Sequence, residues 1–132
     1  VTLKMNAVEL ANLVGEAGKL TLEQVRALVS QLAVRHGRDV FVTLAERGML
    51  GANPVGDVVH QPAFPVRGEI DIVGAGDAVT ANLTAALVAE ADMSEALFLA
   101  ALASSVVIHK LGTTGTASPD ELLGLLRRLA VA

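Results

Sequence analysis

The chain has 132 residues, 52% of them hydrophobic, with no Cys, Trp or Tyr, 3 Phe and a formal net charge of -4. That length and apolar content suit one packed domain or part of a larger one and exclude a disordered chain. The missing cysteines exclude a disulfide scaffold and thiolate metal sites, and the negative charge without stacking aromatics argues against nucleic acid as a partner. No apolar run reaches the roughly 20 residues that span a bilayer, and VTLKMNAVEL lacks a basic region leading an apolar core, so no membrane is expected and the expected compartment is the cytoplasm.

In chain order, Val1 to Met5 reads as a strand end that passes into a helix over NAVELANLVGEAG. Thr21-Leu22-Glu23-Gln24 is a capping-box pattern, Val25, Leu28, Val29, Leu32 and Ala33 then recur on one face as far as Arg35, and Gly37 ends the helix. Asp39 to Leu44 has the β-branched, nearly continuous apolar character of a strand covered on both faces. Gly48 to Gly68 reads as short strands and turns, punctuated by Gly51, Asn53-Pro54, Gly56-Asp57, Pro62 and Pro65.

Glu69 to Val73 reads as a further strand, and Asp77 to Ala91 as a helix so evenly apolar that burial all round is expected. Ser94 to Lys110 is a second apolar helix, Leu111 to Ala117 a Gly/Thr-rich loop, and Ser118-Pro119-Asp120-Glu121 opens the last helix with an N-cap, a proline at its first position and a capping acid. Helices interleaved with buried strands predict an α/β layered fold with a mostly parallel sheet. Three or four strands are fewer than the usual five or six, and the helices after residue 77 are too apolar to face water. The expectation is a part of a larger domain.

The stretch EIDIVGAGDAV, residues 69–79, carries the chemistry. Glycines where a strand meets a helix suggest an anion at the helix start, because free backbone N–H groups and the positive end of the helix dipole point there. A dinucleotide fingerprint is disfavoured: Val79 stands where a small residue is needed, and the region about 20 residues on is helix running into helix instead of a strand ending in an acid. An acid at Asp77 would repel a permanently bound pyrophosphate. It suits a group that takes a proton beside developing negative charge. The amides of Ala75, Gly76 and Asp77 could then hold a transferring phosphoryl group, with Gly74 and Gly76 allowing close backbone approach. The bland alternative is an acid that merely complements the dipole.

Asp71-Ile72-Val73-Gly74-Ala75-Gly76-Asp77 resembles the D-T-x-G-A-G-D signature of the ribokinase-like, or PfkB, carbohydrate kinases. Asn6-Ala7-Val8-Glu9 matches the N-x-x-E motif of that family, and Thr43-Leu44-Ala45-Glu46-Arg47-Gly48 resembles its T-x-G-x-x-G nucleotide segment, in the family's order. VTLAERGML and HKLGTTGTASPDEL are similar to one branch, the kinase half of the bifunctional heptose-7-phosphate kinase and heptose-1-phosphate adenylyltransferase enzymes. The resemblance covers the C-terminal half of a family member, so the N-terminal half with most of the sugar pocket and a small β lid is expected outside this chain.

The resemblance implies ATP-dependent phosphorylation of a sugar or sugar-phosphate hydroxyl, with heptose-7-phosphate as one substrate. It makes Asp77 the general base and Gly74, Ala75 and Gly76 the anion hole. It assigns Thr43 and Gly48 to the nucleotide, His109 and Gly112 to the adenine side, Asn6 and Glu9 to Mg²⁺ through water, and Asp71, the Val73 carbonyl and the loop after Gly112 to a monovalent cation, K⁺. Two positions depart from the pattern: Ile72 replaces a Thr or Ser, and Ala45 replaces a glycine.

Several assignments have structural alternatives. Asn6 and Glu9 equally form an N-cap and its partner, and Asp71 could cap local backbone. Arg47 reads as a solvated loop charge, Lys110 as a helix-end charge, and the scattered His36, His60 and His109 lack zinc spacing. The rival to the enzyme is a nucleotide-binding module without catalysis. The implied partners are the sugar substrate and the remaining half of a kinase domain or a second copy of the chain.

Overall fold

Capping chemistry sets the helix boundaries. Asn6 closes strand β1 (Leu3–Asn6) and caps helix α1 (Ala7–Val14): the Glu9 amide donates to Asn6 Oδ1 at 2.8 Å and the Asn6 amide to Glu9 Oε2 at 2.7 Å. Thr21 and Gln24 repeat the reciprocal pair at the start of α2 (Leu22–His36), which stops at the expected Gly37. Strand β2 (Val40–Thr43) follows, then a 3-10 turn (Ala45–Arg47), β3 (Met49–Ala52) and β4 (Val58–Gln61).

These elements come from a computed structural model that describes residues 2–112 and 115–131; Val1, Thr113 and Thr114 of the expected strand and loop lie outside the described residues. The chain divides into two compact units, Val1–Pro62 and Ala63–Ala132.

The first unit holds one sheet in the order β1-β2-β3-β4. Strand β1 runs parallel to β2, with Asn6 opposite Thr43, whereas β2–β3 and β3–β4 are antiparallel. The sheet is therefore mixed, where the sequence suggested mostly parallel pairing. The connections decide this: α1 and α2 lie between β1 and β2, while the few residues linking β2 to β3 and β3 to β4 are too short for a crossover. Leu10, Val25, Val29, Leu32 and Ala33 of the helices pack on Val40, Val42, Leu50 and Ala52 of the sheet. Phe41 is buried as well, so β2 is covered on both faces as its sequence predicts.

The second unit contains α3 (Ala75–Val88), α4 (Met93–Ile108) and α5 (Pro119–Val131). Asp92 and Glu95 form another capping box, and Ser118 and Glu121 exchange the expected backbone contacts at the start of α5. Helix α3 packs on α4, and α4 on α5.

Two sequence expectations are corrected here. Residues 69–73 form no strand. A strand needs a neighbouring backbone, and this segment instead donates the Asp71 amide to the Ile108 carbonyl at 2.7 Å and the Val73 amide to the carboxylate of Asp71. Its β-branched side chains stay outside, with Ile72 73% exposed. Nor is α3 buried all round: Ala78, Val79, Leu83 and Ala86 make one buried stripe, while Thr80, Ala81, Thr84 and Val88 are exposed. Uniform small apolar composition gives no stripe from which the buried face can be read. Among the described residues no helix is long and apolar enough to cross a membrane.

Candidate functional site

In the first unit the parallel pairing of β1 and β2 brings Asn6 beside Thr43 at the C-terminal ends of both strands, where α/β sheets open their crevices. A cleft of about 620 Å³ lies there, lined by Asn6, Asn12, Lys19, Thr43, Ala45 and Arg47 among others. Two motifs separated by more than thirty residues thus share one wall. Glu9 is not among the lining residues, and its Oε2 accepts the Asn6 amide.

The turn after β2 explains a residue type. Gly48 has φ 88 and ψ -135, a conformation open to glycine, and it closes the turn by hydrogen bonds between Leu44 N–H and Gly48 O and between Gly48 N–H and Ala45 O. Ala45 also lies in the left-handed region, at φ 52, which for a residue with a Cβ costs about 1–2 kcal/mol. That is the position where the resemblance has glycine.

Arg47 is not the solvated charge expected from sequence. It is half-buried, its Nη1 donates to the Leu20 carbonyl at 2.9 Å, and its Nε is buried with no partner among the described residues. The His60 Nε2 lies 2.8 Å from its carbonyl oxygen. The guanidinium therefore pins the 45–47 turn to the chain before α2, a long-range contact that residue type alone does not announce. At the rim, Glu46 is held below the usual carboxylate range by its own backbone hydrogen bond and by Lys19, 3.7 Å away.

In the second unit Gly74 caps α3 at φ 85 and ψ -5 with no side-chain cap, so the helix start offers backbone donors only. The Ala75 amide is already committed, donating to the Ile72 carbonyl at 3.2 Å. The amides of Gly76 and Asp77 have no acceptor among the described residues. Of the three amides expected to hold an anion, two are open. The side chain of Asp77 is exposed on this first turn. A Cβ placed on Gly76 would meet nothing within 4 Å, so packing does not require glycine there.

The C-terminal end of α4 grips the segment that leads into this loop. Asp71 Oδ1 accepts the Val73 amide at 3.0 Å and Oδ2 accepts the Gly112 amide at 3.3 Å, the backbone-capping alternative for Asp71. His109 has Nε2 3.0 Å from the Arg67 amide, which donates to it, and Nδ1 2.6 Å from the Ser105 carbonyl. Both ring nitrogens are thus engaged within the fold. Lys110 reaches the Thr116 carbonyl and pairs with Glu121 at 2.7 Å, holding the Glu121 carboxyl below its ordinary range mainly through that hydrogen bond.

The donor sets bear on metals. Asn6 Oδ1 and one Glu9 oxygen serve the capping box, leaving Glu9 Oε1, a set that fits a hydrated Mg²⁺ better than a dehydrated one. Asp71 spends one lone pair of each oxygen on an amide and keeps others. The cation oxygens expected from the loop after Gly112 are assigned to no residue, and Thr113 and Thr114 of that loop lie outside the described residues. Among the described residues no group of three or more His, Cys, Asp and Glu converges on one point.

The sequence profile described as "pfkB family carbohydrate kinase" matches residues 2–121. The protein called bifunctional protein HldE of Halorhodospira halophila (strain DSM 244 / SL1) is 38% identical over 122 residues, covering 91% of this chain and 24% of that protein. The one of Bradyrhizobium sp. (strain ORS 278) is 43% identical over 81 residues, 61% of this chain and 16% of its own. Among solved structures, phosphofructokinase-2 from Escherichia coli in complex with potassium superposes with a TM-score of 0.83 at 27% identity, covering 98% of this chain and 41% of that one. Arabidopsis thaliana ribokinase complexed with ribose and ATP gives 0.83 at 28%, covering 96% and 40%. The chain spans about a quarter or less of these curated relatives and about two fifths of these kinases.

Proposed function

Because this chain belongs to the pfkB family of carbohydrate kinases, we propose that it forms the ATP-binding and catalytic portion of a kinase domain that phosphorylates a hydroxyl of a sugar or sugar phosphate. Heptose-7-phosphate is the first candidate substrate, given the HldE relatives and the stretches VTLAERGML and HKLGTTGTASPDEL. Most of the sugar pocket and the lid come from residues outside this chain, and the use of ATP suits the cytoplasm.

One observation carries the reading: an exposed carboxylate, Asp77, shares the first turn of α3 with two amides that have no acceptor among the described residues. The sugar oxygen attacks the γ-phosphorus, its bond to the bridging oxygen of ADP breaks, and the hydroxyl proton passes to Asp77. The Gly76 and Asp77 amides stabilise charge on the group in transit. This accounts for an acid beside an anion site: it is a proton acceptor, and the phosphoryl group only passes by. Gly74 supplies the left-handed turn that aims the amides, and Gly76 leaves room for approach.

Thr43 and the Ala45–Gly48 turn, on the cleft that Asn6 also lines, are assigned to the nucleotide, and Gly112 to its adenine side. Asn6 and Glu9 would hold Mg²⁺ through water, and Asp71 with the Val73 carbonyl would face K⁺. Bound Mg²⁺ shields phosphate charge.

The test is ADP formation by the full-length protein with ATP and a panel of heptose-7-phosphate, ribose, fructose and adenosine. Asp77→Asn should lower turnover roughly 10²- to 10⁴-fold while sparing ATP affinity. Undiminished turnover in that variant would remove Asp77 from the mechanism. ATP binding by the wild type without turnover of any sugar would favour a nucleotide-binding module.

A further inference from the structure

The segment 67–73, which delivers the chain to Gly74, has no strand partner among the described residues, and its links to α4 are few and specific. Asp71 N–H reaches the Ile108 carbonyl at 2.7 Å, the Asp71 carboxylate takes the Gly112 amide, and the Arg67 amide reaches His109 Nε2 at 3.0 Å. The last link is the only one of these three that depends on a titratable ring nitrogen. A backbone amide can only donate, so Nε2 must carry a lone pair; a carbonyl can only accept, so Nδ1, 2.6 Å from the Ser105 oxygen, must carry the hydrogen. The fold therefore selects one tautomer of one charge state, the neutral Nδ1–H ring.

We propose that His109, as a neutral imidazole, is a positioning residue: it holds the 67–73 segment, and through it the Gly74 anion loop, against the C-terminal end of α4. It acts through the loop and not on the adenine, and in catalysis this rests on the kinase reading above. Protonation turns Nε2 from acceptor to donor and sets it against the Arg67 N–H, releasing that link. The charged groups around the ring line one cleft of about 590 Å³: Arg67 on the segment, Lys110 on α4, and Asp120, Glu121 and Arg128 on α5. Lys110 and Glu121 are paired with each other, so neither is committed to the imidazole.

The experiment uses two variants of the full-length protein. His109→Gln offers a carbonyl oxygen near the place of Nε2 and does not titrate; His109→Phe keeps a ring and removes the acceptor. Long-range ¹H–¹⁵N spectra of the wild type at neutral pH should show the Nδ1–H tautomer, and amide exchange at Arg67 should accelerate in His109→Phe, relative to α3 core amides, but little in His109→Gln. For the kinase, His109→Phe should lower kcat roughly tenfold or more with a smaller change in the KM for ATP. His109→Gln should keep most of kcat. An Nε2–H or charged ring at neutral pH, or unchanged Arg67 exchange in His109→Phe, would overturn the proposal. A wild type that phosphorylates no sugar would remove the kinase reading, while the tautomer and the exchange rates would still decide the latch.

Discussion

At the scale of single residues, the two glycines at the start of α3, Gly74 and Gly76, are of two kinds. Gly74 is demanded by its own backbone, at φ 85, so any side chain there strains the fold. Gly76 sits in the first turn of α3 with open space around a built Cβ, so nothing in this unit opposes alanine. Alanine forms helix better than glycine by up to about 1 kcal/mol. Gly76→Ala should therefore leave the denaturation midpoint unchanged or raised, yet, on the anion-holding role proposed for Gly76, lower kcat/KM of the full-length protein. Loss of stability together with activity would mean that Gly76 serves the fold instead. Ala45 is the converse case, a Cβ carried at φ 52.

At the scale of elements, the junction between α4 and α5 is fixed by charge. Lys110 Nζ meets Glu121 at 2.7 Å while Glu121 also accepts the Ser118 amide, so one carboxylate caps α5 and ties it to the end of α4. Glu121 is held below its ordinary range by Lys110 first and by Ser118 next. A depressed folded-state value means that this stabilisation is present above the carboxyl's ordinary range and is lost as the pH falls through the folded value. Glu121→Gln should lower the urea midpoint at neutral pH and show a smaller further drop on acidification than the wild type. Parallel losses in both proteins would show that other carboxylates dominate acid unfolding. The same junction reaches Asp71 and His109, so the segment that leads to Gly74 is braced by the C-terminal end of α4.

At the scale of the whole molecule, the chain matches pfkB kinases nearly end to end while covering about two fifths of the solved ones. Each unit exposes large apolar side chains: Val8, Leu13 and Val55 in the first, Ile72, Val73 and Val88 in the second, with Val88 80% exposed. Where such side chains gather into a contiguous patch they meet another protein surface or drive association. The isolated chain should accordingly sediment as concentration-dependent oligomers, and Ile72→Thr with Val88→Thr should shift it toward monomer. A monomer at every concentration would show that these side chains are tolerated in water.

The helix starts and the turn at Gly74 were legible because they rest on local rules: Asn6, Thr21 and Ser118 cap by contacts three residues away, and Gly74 marks its turn without help from the rest of the chain. The family, too, could be read from three short motifs in order. Strand pairing could not, because a β-ladder depends on a neighbour distant in sequence; 69–73 has the composition of a strand but its amides find Ile108 and Asp71 instead. Nor could composition show that Asn6 meets Thr43 across a parallel pair, that Arg47 reaches Leu20, or that His109 is committed to Arg67. Those contacts join residues far apart in the chain, and only folding decides which distant donor meets which acceptor.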